Sequence, residues 1–387
     1  MKRCFESIWK SGPAVIFGII VLLSAGATAL TQTPAQDAVP VLEGLDPVML
    51  VQGKEVQGDL KITVTRGKFQ YLFANAENKA AFEKDPARYE IQMDGACARM
   101  GSPVTGNPDL YTVHEGRIYI FGTEDCKKRF VAAPENYLEA KNGGRPKTAV
   151  TPEAVTKGKS LIERAVVAMG GAARIDGLTG YQEKSTALQT RRQGDVEVKT
   201  NLTILFPALI RSEQTMPDWN NPSAIRQMAI VITPNQVFGI MGGDARPLPN
   251  SARIDQEKEL KRRLLSILRA RRSVNPAAIG GGKVGETAVE QVAVEIDGAS
   301  HTLSIDPATG RILSLSSWRR GPQGNFGQFV QAFSDFRIVD GLTLPFKITS
   351  TFDGKPWKEQ SPTVDQISIN GKIDPALFEK PKANKAQ

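Results

Sequence analysis

The chain contains few cysteines and few histidines, three and two among its 387 residues. Three cysteines are too few for a disulfide-stapled scaffold, and two histidines exclude a histidine-rich metal site. The net charge is also small, because the sequence has 49 Lys and Arg against 41 Asp and Glu. Two of the eight excess positive charges lie before residue 13. Such mild basicity is not that of a nucleic-acid-binding surface, so we expect no nucleic-acid partner.

Catalytic signatures are absent as well. The sequence has no G-x-S-x-G, H-E-x-x-H, Walker or C-x-x-C motif. A G-x-G-x-x-G match at 280–285 is followed by strand-like sequence rather than a helix, so we expect a flexible connector there. What remains is a globular composition, 41% hydrophobic and 23% charged, with a length typical of about two or three domains. We predict a non-enzymatic protein.

An export signal is predicted at the N-terminus. Basic residues near the start precede an apolar run over 14–23, and Ala27-Thr28-Ala29 fits the small-x-small rule for cleavage after residue 29. Residues 1–29 are then a signal peptide. The alternative is an uncleaved membrane anchor, because 13–30 is an 18-residue stretch, just long enough to span a bilayer. Either way the rest of the chain is expected outside the cytoplasm, periplasmic or secreted, where disulfides persist.

Residues 42–140 contain an internal repeat. With an offset of 48 positions, the matched pairs are Phe73 and Phe121, Phe82 and Phe130, Pro86 and Pro134, and Tyr89 and Tyr137. In each copy alternating apolar residues predict a strand pair, and Asn75 or Thr123 is placed to cap the helix that follows. The repeat therefore predicts two ββα units.

This frame resembles the YHS domain family, small ββα modules related to treble-clef metal-binding domains. The likeness covers 45–140 and rests on LDPV at 45–48, FANAENKAAFEKDPARY at 73–89 and GACA at 95–98. The likeness is greatest to secreted members of that family that contain two YHS domains in tandem. The resemblance implies a tandem YHS-like module over 42–140 without implying an activity, since many YHS proteins have none assigned.

The predicted mature chain keeps two cysteines, Cys97 and Cys126. Metal-binding YHS members use one cysteine in the opening segment and two at the helix start. Here Cys97 matches the first and Cys126 the last, whereas Gly122 holds the middle position. The corresponding residues of the first copy are Met49, Ala74 and Asn78. The resemblance therefore implies an incomplete metal site.

Three states of these cysteines stay open. A Cys97–Cys126 disulfide is favoured, because two cysteines brought together by a small fold in an oxidising compartment usually pair. The two thiolates with His114 are an alternative ligand set for zinc or copper, and the first turn of a helix favours thiolate at Cys126. Two unpaired buried thiols are the third state. We expect no other cofactor.

A polar linker over 141–152 separates this module from residues 153–381, which predict one large antiparallel sheet. Thr151 and Pro152 begin a helix over 153–169. About eleven alternating stretches, separated by Asp-Gly and Asn-Gly pairs, then predict strands in meander order. The predicted fold class is α+β.

A second helix is predicted over 251–272. Its apolar stripe is Ile254, Leu260, Leu264, Ile267 and Leu268, and its basic outer face is Lys258, Lys261, Arg262, Arg263, Arg269, Arg271 and Arg272. We favour a helix that covers the sheet with a solvated outer face. The alternative is peripheral contact with an anionic membrane.

Four segments of this region resemble the LolA/LolB-like lipoprotein-carrier superfamily. They are LIERAVVAMGGAARIDGL at 161–178, DPATGRILSL at 306–315, VDGLTLPFKI at 339–348 and ISINGKIDPALFEKP at 367–381. The resemblance spans 153–381 and implies an open antiparallel half-barrel whose concave face holds an acyl chain or other apolar ligand under a helical lid. The residues expected to contact that ligand are Leu202, Ile204, Phe206, Val294, Phe346 and Ile348.

The sequence thus predicts an exported, non-enzymatic protein that binds a hydrophobic or lipid-like molecule in the half-barrel. One alternative is a metal-binding or thiol-redox module acting through Cys97 and Cys126. The other is a structural adaptor of the cell envelope with no small ligand.

Overall fold

The computed structural model describes residues 38–381, apart from 103, 140–149, 192–193, 219–220, 249 and 297–298. The predicted signal peptide at 1–29 and most of the predicted linker lie outside the described residues. Within the described part of the chain, no helix is both long enough and apolar enough to cross a membrane.

Two ββα units make up the N-terminal part. Its elements are β1 (Val39–Pro40), α1 (Pro47–Val51), β2 (Asp59–Arg66), β3 (Phe69–Phe73), α2 (Ala76–Lys84), α3 (Pro86–Tyr89), β4 (Asn107–His114), β5 (Arg117–Phe121) and α4 (Glu124–Ala132). The elements β4, β5 and α4 begin and end 48 residues after β2, β3 and α2. Asn75 and Thr123 cap the two helices, accepting from the amides of Asn78 and Cys126. The units therefore repeat at the spacing that the sequence shows.

Strand β5 joins the two units into one body. Ile118 and Ile120 enter the core of the first unit, whereas Tyr119 and Phe121 enter the core of the second. Successive side chains of a strand point to opposite faces, so one five-residue strand contributes to both cores. Phe130 of α4 is fully buried in the second core, as the repeat predicts.

Helices and one large sheet make up the remainder. The elements are α5 (Pro152–Ala168), α6 (Ala172–Asp176), β6 (Gly180–Arg191), β7 (Gly194–Leu205), β8 (Leu209–Pro217), β9 (Ile225–Ile232), β10 (Val237–Met241), β11 (Asp244–Pro247), α7 (Asn250–Arg262), α8 (Leu264–Arg269), β12 (Ala277–Val284), β13 (Thr287–Ile296), β14 (Ala299–Ile305), β15 (Ile312–Arg320), β16 (Phe326–Val339), β17 (Leu342–Phe352), β18 (Lys355–Pro356) and β19 (Thr363–Ile369).

Over the described residues the sheet is antiparallel and open, and it contains 14 strands. Neighbouring strands lie in the order β11, β10, β9, β8, β7, β6, β19, β17, β16, β15, β14, β13, β12. Strand β18 lies off this path and pairs with β17. The predicted meander is thus correct within each half, and β19 joins the halves. The prediction of about eleven strands is too low because short strands such as β18, with two residues, carry no readable alternation. The expected connector at 280–285 is also wrong, since residues 280–284 belong to β12.

Helix α5 lies against one end of this sheet. Thr151 Oγ1 accepts from Ala154 N at 3.2 Å, which confirms the predicted cap. Gly158 of α5 packs directly on the chain entering β12, where a Cβ would lie 2.5 Å from Pro276 O. Leu161, Ile162 and Ala165 of the same helix are buried in the main core. Helix α5 therefore covers the end of the sheet at which β12 lies.

The predicted basic helix at 251–272 is two helices, and this corrects the sequence prediction. Arg263 between α7 and α8 has extended backbone angles, which ends the first helix. Arg271 is buried rather than solvated, and its Nη1 and Nη2 donate to Asp176 at 2.6 and 2.8 Å. Arg262 Nη1 donates to Glu259 of the same helix, and Arg263 Nη2 donates to Glu183 of β6. Several cations of the predicted outer face are therefore used in ion pairs within the fold, whereas the Arg272 side chain is 78% exposed.

Candidate functional site

A cavity of about 400 Å³ lies between the sheet and the helices α7 and α8. Its floor comes mainly from β6, β7, β8, β15, β16 and β17, and residues 256–266 contribute its roof. Because side chains alternate across a strand, every second residue of these strands faces the cavity. The volume falls within the range of about 300 to 1,000 Å³ that is usual for small-molecule sites.

One end of the cavity is apolar. Tyr181 of β6 lies opposite Ile204 of β7, which lies opposite Ile210 of β8. Phe206 extends this end beyond β7, and Leu264 of α8 lines it from the roof. This is the face that the alternation in the sequence predicts.

The other end of the cavity is polar, and sequence reasoning did not find it. Four residues along the same strands, Ser185 lies opposite Thr200, which lies opposite Gln214. Ser317 of β15 and Gln331 of β16 line the cavity from the other half of the sheet. The sequence does indicate this face, because each polar residue lies an even number of positions from an apolar residue of the same strand. The prediction missed it because only apolar residues were used to define the face.

A charged group lies in the roof beside the polar end. Glu259 of α7 binds two guanidiniums, since Oε1 accepts from Arg262 Nη1 and Oε2 from Arg319 Nη1, both at 3.0 Å. The Arg319 guanidinium also lies 4.4 Å from the ring centroid of Phe329. Burial lowers the pKa of Arg319, a shift that Glu259 opposes and Arg262 reinforces. Arg319 is thus a largely desolvated cation at the cavity wall.

A second charged group fixes the break between α7 and α8. Arg263 Nη2 donates to Glu183 Oε2 at 3.1 Å, and the Tyr181 hydroxyl donates to the same oxygen at 2.5 Å. Burial raises the pKa of Tyr181 well above its ordinary value, and the charge of Glu183 raises it further. The phenol therefore stays a hydrogen-bond donor, and the three side chains hold the roof to β6.

The structure brings four of the six predicted ligand residues to this cavity. Leu202, Ile204, Phe206 and Ile348 line it. Val294 and Phe346 do not line it and lie in the main core, 2% and 5% exposed. Val294 belongs to β13, near the end of the sheet that α5 fills, so its apolar face is already covered. The binding role of all six residues stays a prediction.

Cys97 and Cys126 form a second candidate site. Both are free and buried in this structure, and they belong to the same core cluster. Arg99 Nη1 donates to Cys126 Sγ at 3.7 Å. Burial raises the pKa of the Cys126 thiol, but hydrogen bonds from Thr123, Arg99 and Cys97 outweigh it and hold that pKa below its ordinary value. The site favours thiolate, and the disulfide stays a prediction.

The backbone shows which residue of the first unit corresponds to Cys97. Asp46 N donates to Val56 O at 2.9 Å, and Cys97 N donates to Val104 O at 2.7 Å. Val56 and Val104 keep the 48-residue offset, so Asp46, and not Met49, is the counterpart of Cys97. The sequence match failed because the first unit inserts α1 between these positions, where the second unit has a shorter turn.

His114 does not join the two thiols. Its ring lies 6.0 Å from that of Phe130, at the end of β4 before the Glu115–Gly116 turn. Among the residues that the structure describes, no three or more His, Cys, Asp or Glu side chains are grouped so as to hold a metal ion. Cys97, Cys126 and His114 therefore do not form a three-ligand metal site. The two thiols remain as candidate metal ligands.

Arg320 connects the thiol segment to the sheet. Its Nη1 donates to Arg99 O at 2.7 Å and its Nη2 donates to Tyr137 O at 2.9 Å. Burial lowers the pKa of Arg320, and the charge of Asp255 is the largest effect that opposes this shift. Because Arg319 lines the cavity, adjacent residues of β15 serve the two candidate sites.

No protein-family model matches the chain. A copper-transporting P-type ATPase from Rhizobium leguminosarum bv. viciae is 42% identical over 59 residues, which are 15% of this chain and 7% of that protein. The chain thus spans a small part of this relative.

Several solved structures are similar to the chain. A domain described as an outer membrane lipoprotein-sorting protein, from Vibrio parahaemolyticus, is 10% identical with a TM-score of 0.40, over 58% of this chain and 97% of its own. A DUF1329 family protein from Desulfovibrio piger is 12% identical with a TM-score of 0.38, over 58% and 97%. A LolA superfamily protein from Nitrosomonas europaea is 11% identical with a TM-score of 0.37, over 57% and 97%.

Proposed function

We propose that this protein binds a hydrophobic or lipid-like molecule in the cavity between the sheet and the helices α7 and α8. The observation that carries the proposal is the cavity itself, about 400 Å³ with an apolar end built from three neighbouring strands. Burying apolar ligand surface there is favourable by about 25 cal/mol per Å². The resemblance of four sequence segments to the lipoprotein-carrier superfamily supports the same proposal.

The role we propose is binding or carriage outside the cytoplasm, without catalysis. The export signal read from the sequence supports that location. The cavity's titratable side chains support a binding role, because Tyr181, Glu183 and Arg263 satisfy one another. These contacts hold the roof in place.

Displacement of a fluorescent probe tests this proposal. We expect the purified exported chain to bind the neutral dye Nile red saturably and to release it to single-chain lipids. Leu202→Trp fills the cavity, because Leu202 is buried in its wall, and we expect it to abolish dye binding. Glu197→Trp, at an exposed position of the same strand, is the matched control and should bind as the wild type does. Absence of saturable binding by the wild type would show that the carrier proposal is wrong.

A second candidate function is soft-metal binding or thiol redox chemistry at Cys97 and Cys126. The burial of both thiols in one core cluster and the hydrogen bond from Arg99 to Cys126 favour it. Two thiolates with one monovalent copper ion carry a net charge of −1, which the Arg99 cation offsets, and thiolates are preferred ligands of cuprous copper. The relative named as a copper-transporting ATPase supports copper over zinc as the first metal to test.

Thiol counting and metal titration separate these states. No free thiol in denaturant means a disulfide, and two mean a metal site or inert thiols. Cuprous copper is then titrated against a chromophoric chelator, with Cys97→Ser and Cys126→Ser as variants that each remove one ligand. Retention of copper by both serine variants would contradict a two-thiolate site.

A structural adaptor and peripheral membrane contact through 251–272 stay as alternatives. Membrane contact has less support than the sequence indicated, because Arg262, Arg263 and Arg271 bind carboxylates within the fold.

A further inference from the structure

We propose that the cavity selects a ligand with an anionic headgroup, which binds at Arg319 while its apolar chain lies toward Ile204. This inference rests on the proposed function and names the class of ligand: a single-chain amphiphile bearing a carboxylate or a phosphate. Three observations lead to it, namely the polarity gradient of the floor, the single carboxylate that Arg262 and Arg319 share, and the placement of Arg319.

The floor of the cavity changes from apolar to polar along its length. The row of Tyr181, Ile204 and Ile210 lies about 13 Å from the row of Ser185, Thr200 and Gln214, since four residues of a strand separate them. Hydroxyl and amide groups gain nothing from a purely apolar chain, because burial without a hydrogen-bond partner costs free energy. A ligand that satisfies both ends has an apolar part and a polar part.

The roof beside the polar end holds two guanidiniums on one carboxylate. Arg262 and Arg319 share Glu259, an oxygen each. Glu359 also lines the cavity, and its Oε1 accepts from Thr190 N at 3.1 Å. Over the whole lining three arginines face three glutamates, so the cavity carries no excess charge. Arg319 is bound by a single oxygen of Glu259, and a further anionic acceptor would stabilise its buried charge.

Arg319 is held where a headgroup would meet it. Its side chain is 16% exposed, and its guanidinium lies 4.4 Å from the ring centroid of Phe329 and 6.0 Å from that of Trp357. The guanidinium has five donors, and one of them is used by Glu259. A fixed guanidinium with donors in reserve suits the planar oxygens of a carboxylate or the oxygens of a phosphate.

Competition among ligands of one chain length tests the inference on the full exported chain. Dodecanoate, dodecyl phosphate and dodecanol displace Nile red at pH 8, with acetate and inorganic phosphate as headgroups without a chain. We expect both anionic amphiphiles to act at concentrations at least about tenfold below dodecanol, the effect of one charge-assisted hydrogen bond. Arg319→Gln should remove that preference, so that the three amphiphiles act at similar concentrations. Arg337→Gln, which removes an exposed arginine paired with Asp335, should keep it.

Each other outcome counts against one specific claim. Equal potency of dodecanol and the two anions on the wild type would overturn the headgroup inference and leave the carrier proposal standing, and this comparison needs no variant to fold. Persistence of the preference in a folded Arg319→Gln protein would also overturn it. Displacement by acetate or phosphate alone would show a small-anion site instead. Failure of all three amphiphiles and of the dye would mean that the proposed function itself is wrong.

Discussion

Asn78 Nδ2 donates a 2.7 Å hydrogen bond to Asp46 Oδ2, and this pair holds in the first ββα unit the place that Cys126 and Cys97 hold in the second. In the first unit the Asp46 carboxylate accepts from the backbone amides of Val48, Met49 and Ala74. Its bond from Asn78 connects the opening segment to the start of α2. In the second unit the same two positions hold two thiols. The duplicated scaffold therefore has a structural copy and a copy with reactive groups, which is why we assign any thiol chemistry to the second unit alone.

The first prediction concerns Asp46. Its fully buried carboxylate accepts from Val48 N, Met49 N, Ala74 N and Asn78 Nδ2, at 2.7 to 3.2 Å. We expect Asp46→Ala to lower the free energy of unfolding by about 3 kcal/mol, because buried donors lose a charged acceptor. Chemical denaturation of the two proteins measures it. Asp59→Ala, whose exposed carboxylate accepts from Lys61 N, should change stability by less than about 0.5 kcal/mol. Equal effects of the two substitutions would contradict the role of Asp46.

The second prediction concerns the pH dependence of Cys126. Thiolate, not thiol, reacts with iodoacetamide, so the alkylation rate rises as pH increases through the pKa of the thiol. Because Thr123, Arg99 and Cys97 hold that pKa below its ordinary value, the rise should occur at lower pH in the folded, reduced chain than in denaturant. Mass spectrometry of the modified peptide, read from pH 5 to pH 10, gives the midpoint.

Arg99→Gln is the informative variant of this experiment. It removes the cation 3.7 Å from Cys126 Sγ, so the midpoint should move up, and a shift of one pKa unit lowers the thiolate fraction at neutral pH about tenfold. Arg129→Gln is the control. Arg129 is an exposed residue of α4, the helix that contains Cys126, and it pairs with Asp125, so this substitution should leave the midpoint unchanged. Coincident profiles for wild type and Arg99→Gln would exclude the thiolate-stabilising role.

Local patterns in the sequence predicted much of this fold. Thr123 and Thr151 cap helices as expected, and Asp340-Gly341 and Asp353-Gly354 make turns with positive φ at both residues. Such signals act over a few residues, so they are readable without the fold. The alternation of β7 likewise placed Leu202 and Ile204 on the inner face for the same reason.

Features set by distant contacts were not predictable. The break after α7 falls at Arg263, which binds Glu183, 80 positions away in the chain, and no local signal marks that break. Arg319 was missed because a single arginine in a strand is usually solvated, and its burial depends on Glu259 of a different element. Periodicity reports which residues share a face, but it does not report which charges meet across the cavity.

The third prediction concerns the contact between α5 and the sheet. Replacing glycine by alanine inside a helix usually stabilises it by about 0.5 to 1 kcal/mol. Here the Cβ of Gly158→Ala would lie 2.5 Å from Pro276 O and 2.9 Å from Ala277 Cα, both backbone atoms that cannot turn away. We expect the opposite sign, a loss of about 1 to 3 kcal/mol in thermal or chemical unfolding. Ser160→Ala, at an exposed site of the same helix, should be neutral or slightly stabilising. A stabilised Gly158→Ala protein would mean that α5 does not pack this closely.

The last prediction concerns Arg320, which joins the thiol segment to β15. Its guanidinium supplies donors to the carbonyls of Arg99 and Tyr137, and replacing it leaves both without a charged partner. We expect Arg320→Leu to cost about 2 kcal/mol and to speed hydrogen–deuterium exchange in 97–106, while exchange in β6 and β7 stays as in the wild type. Arg129→Leu, which breaks an exposed pair with Asp125, should change neither quantity measurably. Faster exchange spread evenly over the sheet would indicate general destabilisation, and would contradict a specific connection between the two parts of the chain.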